Sequence, residues 1–312
     1  MKFFQIINKL LCSNCKKKTL KENNEEIICE KCKQKYGSIL IPSFIEKTYT
    51  SSFGFQWNRF NKTQLDSYNK LSLTKDRFFR TTRWKQNLIG NLILEVGSGS
   101  GRFTEILAQT KGSIVTLDSS TAIRANFSNN SSYQNVKFIR ADINNMPFDF
   151  QFDKVLCLGV LQHTNDVKNT LKNLKKFLKP GGEMVFDVYK KNWHTYFQWK
   201  YLLRPLLKKV KKEILLKVIN YLSNFFYYPS LLIFKIFGKI YKRIFPVIYY
   251  HEIIKEKKLS IEFSVLDSFD MYSPVFDNPL SIIELDHMLL VLGFKIIFLD
   301  YGDNGIIGKV SC

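Results

Sequence analysis

LILEVGSGSG at residues 92–101, followed by RFTEILAQ at 102–109, decides the fold. Leu92 to Val96 is a short apolar run that reads as a buried strand, Gly97, Gly99 and Gly101 open a loop, and a helical pattern resumes at Arg102. Such a strand, loop and helix lets backbone approach a ligand closely while the helix N-terminus offers unpaired N–H groups. A dinucleotide fingerprint would place Gly or Ala where Arg102 stands, so the spacing disfavours NAD.

Reading outward, Ile114 to Leu117 predicts a second strand ending in Asp118. A carboxylate there suits two ribose hydroxyls, or it caps the following helix. Val136 to Ile139 predicts a third strand leading to Asp142 and Ile143, with Asp142 either at a ligand or opening a turn. Asp153 to Leu158 predicts a fourth, leading to His163, which is either a general base at the strand edge or a loop-ordering side chain. A helix from about Asp166 to Leu178 should stop at Lys179-Pro-Gly-Gly182, before a fifth strand from Glu183 to Val188. Asp187 and Tyr189 end that strand at the same rim. Strands alternating with helices imply a parallel sheet covered on both faces, with ligands at the C-terminal strand ends.

Near the N-terminus, Cys12-Ser-Asn-Cys15 and Cys29-Glu-Lys-Cys32 are separated by 13 residues. Two such turns suit one tetrahedral zinc, and four thiolates leave no open catalytic position, so the role is structural. The metal should replace the hydrophobic core that residues 11–42 are too short to build. Six cysteines in 312 residues exclude a disulfide scaffold and point to a reducing, cytoplasmic setting. The interrupted apolar stretch MKFFQIINKLLC reads as an amphipathic helix and not a signal peptide. With 45% hydrophobic residues the chain can build a sizeable core, and its net charge of +20 calls for an anionic partner.

Taken together, EVGSGSG, TLDSS, RADINNMPF, FDKVLCLGVLQHT and LKPGGEMVFDVY resemble the ordered motifs of class I S-adenosylmethionine-dependent methyltransferases of the type 11 group, over roughly residues 85–190. The resemblance implies an α/β, Rossmann-like seven-stranded sheet, completed by a helix at 282–292 and antiparallel strands at 295–299 and 306–310. It also implies that Gly97, Gly99 and Gly101 pass under the methionine part and that Glu95 sits behind the loop. Asp118 would hold the ribose, Asp142 and Ile143 would frame the adenine, and Ser119 and Leu158 would complete the cofactor set. More loosely, FGFQWNRF at 53–60, KYLLRP and LDSFDMYSP look like zinc-ribbon-bearing methyltransferases found among bacterial surface-glycan and secondary-metabolite genes. Phe55 and Trp57 either close over the cofactor or are packing.

The expected organisation is a zinc ribbon (1–45), a linker with helices over the cofactor site (46–84), the cofactor-binding core (85–192), a helical cap (193–275), and the last helix and strands (276–312). Residues 193–260 hold 14 Lys or Arg against 3 Asp or Glu, so this segment carries +11 of the total charge. Leu203, Leu206, Leu207, Val210 and Ile214 fit one helical face, with Lys208, Lys209, Lys211 and Lys212 away from it and an aromatic-rich stretch following. Such a segment either lies on an anionic membrane, at the inner face, or is a solvated lid. The expected activity is methyl transfer to a small-molecule, sugar or lipid-linked glycan acceptor, with His163 or Asp187 as base if a hydroxyl is methylated. RNA modification through the ribbon and basic surface is the alternative, with a non-catalytic scaffold as a third reading.

Overall fold

A computed structural model describes residues 6–45, 49–193 and 195–312; the first five residues of the expected N-terminal helix and residues 46–48 of the expected linker lie outside these. Strands β1 (Leu20–Asn23), β2 (Glu26–Cys29) and β3 (Lys35–Ser38) form a three-stranded antiparallel sheet. Helices α1 (Ser51–Arg59), α2 (Asp66–Asn69) and α3 (Leu73–Thr82) follow. An alternating series then begins: β4 (Leu92–Val96), α4 (Arg102–Gln109), β5 (Ser113–Asp118), α5 (Ile123–Asn130) and β6 (Val136–Arg140). It continues through β7 (Phe152–Cys157), α6 (Val167–Lys176) and β8 (Leu178–Val188).

The main sheet has seven strands in the order β6-β5-β4-β7-β8-β10-β9, where β9 is Lys295–Gly302 and β10 is Gly305–Ser311. The first five strands pair in parallel and β10 runs antiparallel between β8 and β9. Successive residues of β4 face opposite sides: Ile93 packs with Phe103 and Leu107 of α4, whereas Leu94 joins the cluster containing Leu171 and Leu174 of α6. This two-sided burial accounts for the uninterrupted apolar run in the sequence. The strand order reverses at β4, between β5 and β7, which opens a crevice at the C-terminal ends.

Three expectations need correction. The helix before β8 stops at Lys176, and Leu178 already pairs with Phe152, so Pro180 and the following glycines lie inside a long strand instead of a connecting turn. The ladder shifts register there, and Gly181 N–H donates to the Cys312 carbonyl, which accommodates the proline.

The four-cysteine segment does not stand apart as a unit whose core a metal would replace. Ile6, Leu10, Leu20, Ile27, Tyr36 and Phe44 are buried in one cluster with the β4 and β5 side chains. Leu11 N–H donates to the Pro147 carbonyl, and Phe44 N–H to that of Arg140, which docks the segment along the β6 edge.

The cap's apolar face is not one helix. It breaks into α7 (Trp199–Leu207) and α8 (Lys212–Phe225), because tight i to i+3 turns at Lys209 and Val210 close α7. Leu203, Leu207 and Val210 turn inward while Leu206 and Ile214 stay exposed. Further on lie α9 (Tyr227–Phe237), α10 (Tyr241–Ile244) and α11 (Lys257–Tyr272), before α12 (Ile282–Val291) returns the chain to the sheet.

Candidate functional site

A cavity of about 1320 Å³ lies between the C-terminal rim of the sheet and the cap. Pockets for one small ligand usually run from about 300 to 1,000 Å³, so this space suits two molecules side by side. Its floor is the glycine loop, with Asp118 and Ser119 after β5, Ile143 after β6, and Leu158 after β7.

The loop is held from below. Glu95 is buried and accepts a hydrogen bond from Thr104 Oγ1 (2.5 Å). Asn126 Nδ2 donates to Thr104 Oγ1 and Thr116 Oγ1, and Asn130 Nδ2 to the Gly101 carbonyl. Gly101 has φ +90°, and a Cβ there would lie 2.1 Å from Asn126 Oδ1, so only glycine fits. On the cavity side, the Trp57 indole lies where a Cβ on Gly99 would approach it to 3.2 Å. Trp57 thus sits over the loop, whereas Phe55 packs on Phe269 in the cap.

Asp118 accepts from the Gly99 N–H (2.9 Å) and from both the N–H and hydroxyl of Ser120 (each 2.7 Å). Burial raises its pKa, and the Ser120 and Gly99 donors work against that rise. The Ser119 hydroxyl lies 2.9 Å from that of Thr50. Glu95, Gly101 and Asp142 do not line the cavity; Asp142 accepts from Asn144 N–H (2.7 Å), the turn-opening arrangement, although its charge reaches Tyr49 on the cavity wall.

The two candidate bases differ sharply. His163 is buried on the cavity wall with Nδ1 3.0 Å from the Phe276 carbonyl, an acceptor that requires the proton on Nδ1 and leaves a lone pair on Nε2. Burial lowers its pKa, so the ring is neutral at pH 7. Asp187 does not line the cavity. It accepts from Arg77 Nη2 (2.7 Å), the Gly159 N–H (2.5 Å) and Asn304 Nδ2 (3.4 Å), which leaves no oxygen without a donor.

Sequence reading missed a carboxylate wall on α11. Asp267 accepts from Tyr250 (2.6 Å) and Gln64 (3.1 Å), and Asp270 lies 3.4 Å from the Tyr189 hydroxyl. Burial pushes the Asp267 pKa up to about 6 and holds the Tyr189 phenol well above its ordinary range. The spacing Asp267, Asp270 inside LDSFDMYSP was the available signal, since i and i+3 share a helical face.

The four cysteine sulfurs form a separate cluster, all within 4.8 Å of one another. Cys12 and Cys32 are 3.4 Å apart, and Cys15 and Cys29 3.7 Å. Tetrahedral zinc with four thiolates sets sulfurs roughly 3.8 Å apart, so the donor set fits. Lys16 and Lys33, just after each pair, adopt left-handed backbone, letting the Cys15 and Cys32 N–H groups turn toward Cys12 and Cys29 sulfur.

Residues 94–186 match the family model of a methyltransferase domain. The chain therefore carries such a domain, and its boundaries enclose β4 to most of β8, including the cavity floor. Over 105 residues the chain is 35% identical to the tRNA U34 carboxymethyltransferase of Campylobacter fetus subsp. fetus (strain 82-40), taking in 32% of this chain and 37% of that protein. Over 113 residues it is 34% identical to the ubiquinone biosynthesis O-methyltransferase of Coxiella burnetii (strain RSA 493 / Nine Mile phase I), taking in 35% of this chain and 48% of that one. The chain thus spans between about a third and a half of the length of these curated relatives. The glycopeptide N-methyltransferase MtfA complexed with S-adenosyl-L-methionine superposes with a TM-score of 0.44 at 12% identity, covering 76% of this chain and 93% of that one.

Two outcomes are expected. Elemental analysis should find one zinc per chain, and Cys29→Ser should lower both zinc content and whole-chain stability, by several kcal/mol, because the ribbon shares the sheet's core. Glu95 has a folded pKa raised by burial to about 7 from an ordinary 4.5. It therefore holds a proton in the folded state that the unfolded chain releases, so its contribution is full below pH 4.5 and is lost as pH rises through about 7. Urea denaturation should show stability falling over that window by on the order of 3 kcal/mol, and Glu95→Gln should flatten the fall.

Proposed function

We propose that the chain transfers a methyl group from S-adenosylmethionine to a hydroxylated small-molecule or glycan acceptor, a lipid-linked glycan included. The observation that carries this reading is the coincidence of the methyltransferase domain at 94–186 with a cavity floor made of Gly97 to Ser100, Asp118 and Ile143. The residues present fit the cofactor. The hydroxyls of Ser98 and Ser100 and the amide of Gln56 line the cavity as buried polar atoms with no partner among the described residues, so a bound polar group would satisfy them. Asp118, fixed by Gly99 and Ser120, would take ribose hydroxyls, Ser119 and Ile143 would border the nucleoside, and Trp57 would cover the loop.

When bound, S-adenosylmethionine supplies an electrophilic methyl carbon. The protein's share is then alignment and exclusion of water. Tyr189, Lys200 and the α11 carboxylates form the opposite wall, with Lys200 Nζ 3.9 Å from the Tyr189 ring centre and ion-paired to Asp277 at 2.7 Å. Aromatic faces beside carboxylates suit a polyhydroxyl acceptor, whose CH faces stack and whose OH groups donate. Of the two candidate bases, neutral His163 is the one able to accept a proton, since Asp187 is saturated by Arg77 and Gly159.

The RNA reading draws on the name of one relative, but Lys18, Lys21 and Lys35 of the ribbon pair with Asp149, Glu30 and Glu26. Those lysines are partly neutralised against phosphate.

Calorimetry should detect S-adenosylmethionine binding, and Asp118→Ala should weaken it about tenfold to a hundredfold, the worth of hydrogen bonds to two hydroxyls. Tight binding of NAD instead would overturn the assignment. The rate should rise with pH along a limb below 6.5, because a histidine with a lowered pKa must lose its proton to act as base. His163→Gln should abolish that limb and slow turnover by about a hundredfold or more, provided the acceptor is a hydroxyl.

A further inference from the structure

Among the described residues, twenty-five large apolar side chains are exposed, and twelve of them fall between Leu202 and Ile244. Their spacing is ordered. On α8, Ile214, Val218, Tyr221 and Phe225 recur at steps of four, three and four residues, while Leu215 and Ile219 face the opposite way into the cap's interior. On α9, Tyr228, Leu232 and Ile236 repeat every four residues. These side chains are 44% to 66% exposed. Each helix therefore has two apolar faces and only one is covered, a pattern that a solvated lid does not need.

The C-terminal end of the α8 stripe leads into the cap's interior. Tyr221 stacks on Phe225 at 6.0 Å, Phe225 meets Phe226 at 5.0 Å, and Phe226 meets Phe245 at 5.1 Å. The Trp199 indole N–H donates to the carbonyls of Arg243 and Ile244, and Trp199, Arg243 and Phe245 all line the cavity. Ring contacts thus lead from the outer face of α8 through the cap's interior to side chains that line the cavity.

Charge selects the occupant. Lys208, Lys209, Lys211, Lys217, Lys235 and Lys239 are exposed and, among the described residues, make no ion pair. Lys212 is different, because it donates to the Ser51 hydroxyl, and so it leaves the group expected from sequence. A surface carrying these six lysines repels a second copy of itself. Three of the seven stripe residues, Tyr221, Phe225 and Tyr228, are rings on which bases could stack, but Ile214, Val218, Leu232 and Ile236 are not. An acyl interface buries all seven, where single-stranded RNA would leave the four aliphatic ones uncovered. Apolar residues fringed by unpaired lysines match the interface of an anionic bilayer.

We propose that α8 and α9 dock this chain on an anionic membrane surface, with the cavity mouth at Trp199 and Arg243 beside the bilayer. No described helix is long and apolar enough to cross a membrane, and the proposed attachment is through the outer faces of α8 and α9. An acceptor held in the bilayer by a lipid tail would then reach the cavity without leaving the membrane. Docking itself does not depend on the methyl-transfer reading.

The test uses the full zinc-loaded chain without cofactor, in co-sedimentation with phosphatidylcholine vesicles and with vesicles containing phosphatidylglycerol. Partitioning should be at least about tenfold stronger on the anionic vesicles, and should weaken as salt rises from about 0.1 to 0.5 M. The variant Lys208→Glu/Lys209→Glu/Lys211→Glu should lose on the order of a hundredfold, about fivefold per lysine. The variant Phe225→Ser/Leu232→Ser/Ile236→Ser should also lose anionic binding while keeping S-adenosylmethionine affinity and helical content, since none of the three touches the cavity. Equal partitioning on both vesicle types, or retention in both variants, overturns the proposal. So does a dimer in sedimentation velocity that the serine variant dissolves, or displacement from vesicles by RNA at the same salt. Because cofactor affinity is measured separately, a failure of docking is distinguishable from a failure of the methyl-transfer reading.

Discussion

Everything above the sheet rests on the hydrogen-bonded chain beneath the glycine loop, from Glu95 through Thr104 and Asn126 to Thr116, with Asn130 reaching Gly101. It ties β4, α4, β5 and α5 together by side chains that are all buried. A buried polar group without a partner costs about 1 to 3 kcal/mol, so each member fixes the next. The loop's shape is consequently set from behind, before any ligand arrives. Asp118 adds the matching constraint from in front by accepting the Gly99 N–H.

What the sequence made legible follows the range of the forces involved. Five strands and the glycine loop were readable because strand periodicity and turn chemistry act over a few residues, whereas the last two strands came only from the family resemblance. The four cysteines were readable because metal geometry dictates spacing. The ion pair of Asp187 was not legible because its partner, Arg77, lies 110 residues away, and no local pattern marks such a pairing. The α11 carboxylates lay in a quoted motif, yet which helical face met the cavity depended on how the cap folds back. The single cap helix failed because periodicity alone could not register the turn at 208–211. Ribbon docking was invisible for the same reason as the Arg77 pair: Leu10 meets Phe148 across most of the chain's first half.

Net charge proves a poor guide until it is partitioned. Arg77, Arg80 and Arg83 of the α3 region are spent on Asp187, Asp303 and Asp300, and Lys200 on Asp277. The cavity itself is amphoteric, with carboxylates on α11 opposing the cationic rim. Residues 193–275 carry +8 of the +20, and six exposed lysines there make no ion pair among the described residues, so the charge open to a partner is smaller than the total and has to be read face by face.

Insertion of β10 between β8 and β9 has a consequence for the order of events during synthesis. The ribbon, the glycine loop and β4 to β7 are complete once residues up to about 160 have left the ribosome. The hydrogen-bonded support at Asp187, behind the rim, is not, because Asn304 and the β10 strand reach it only about 120 residues later. A nascent chain thus carries a finished cofactor floor facing an open sheet edge along β8, whose unpaired amides invite mispairing. Assembly of a competent site is gated by the arrival of the last two strands, and any shortening that removes β10 should leave a chain that folds around its loop but cannot close the rim.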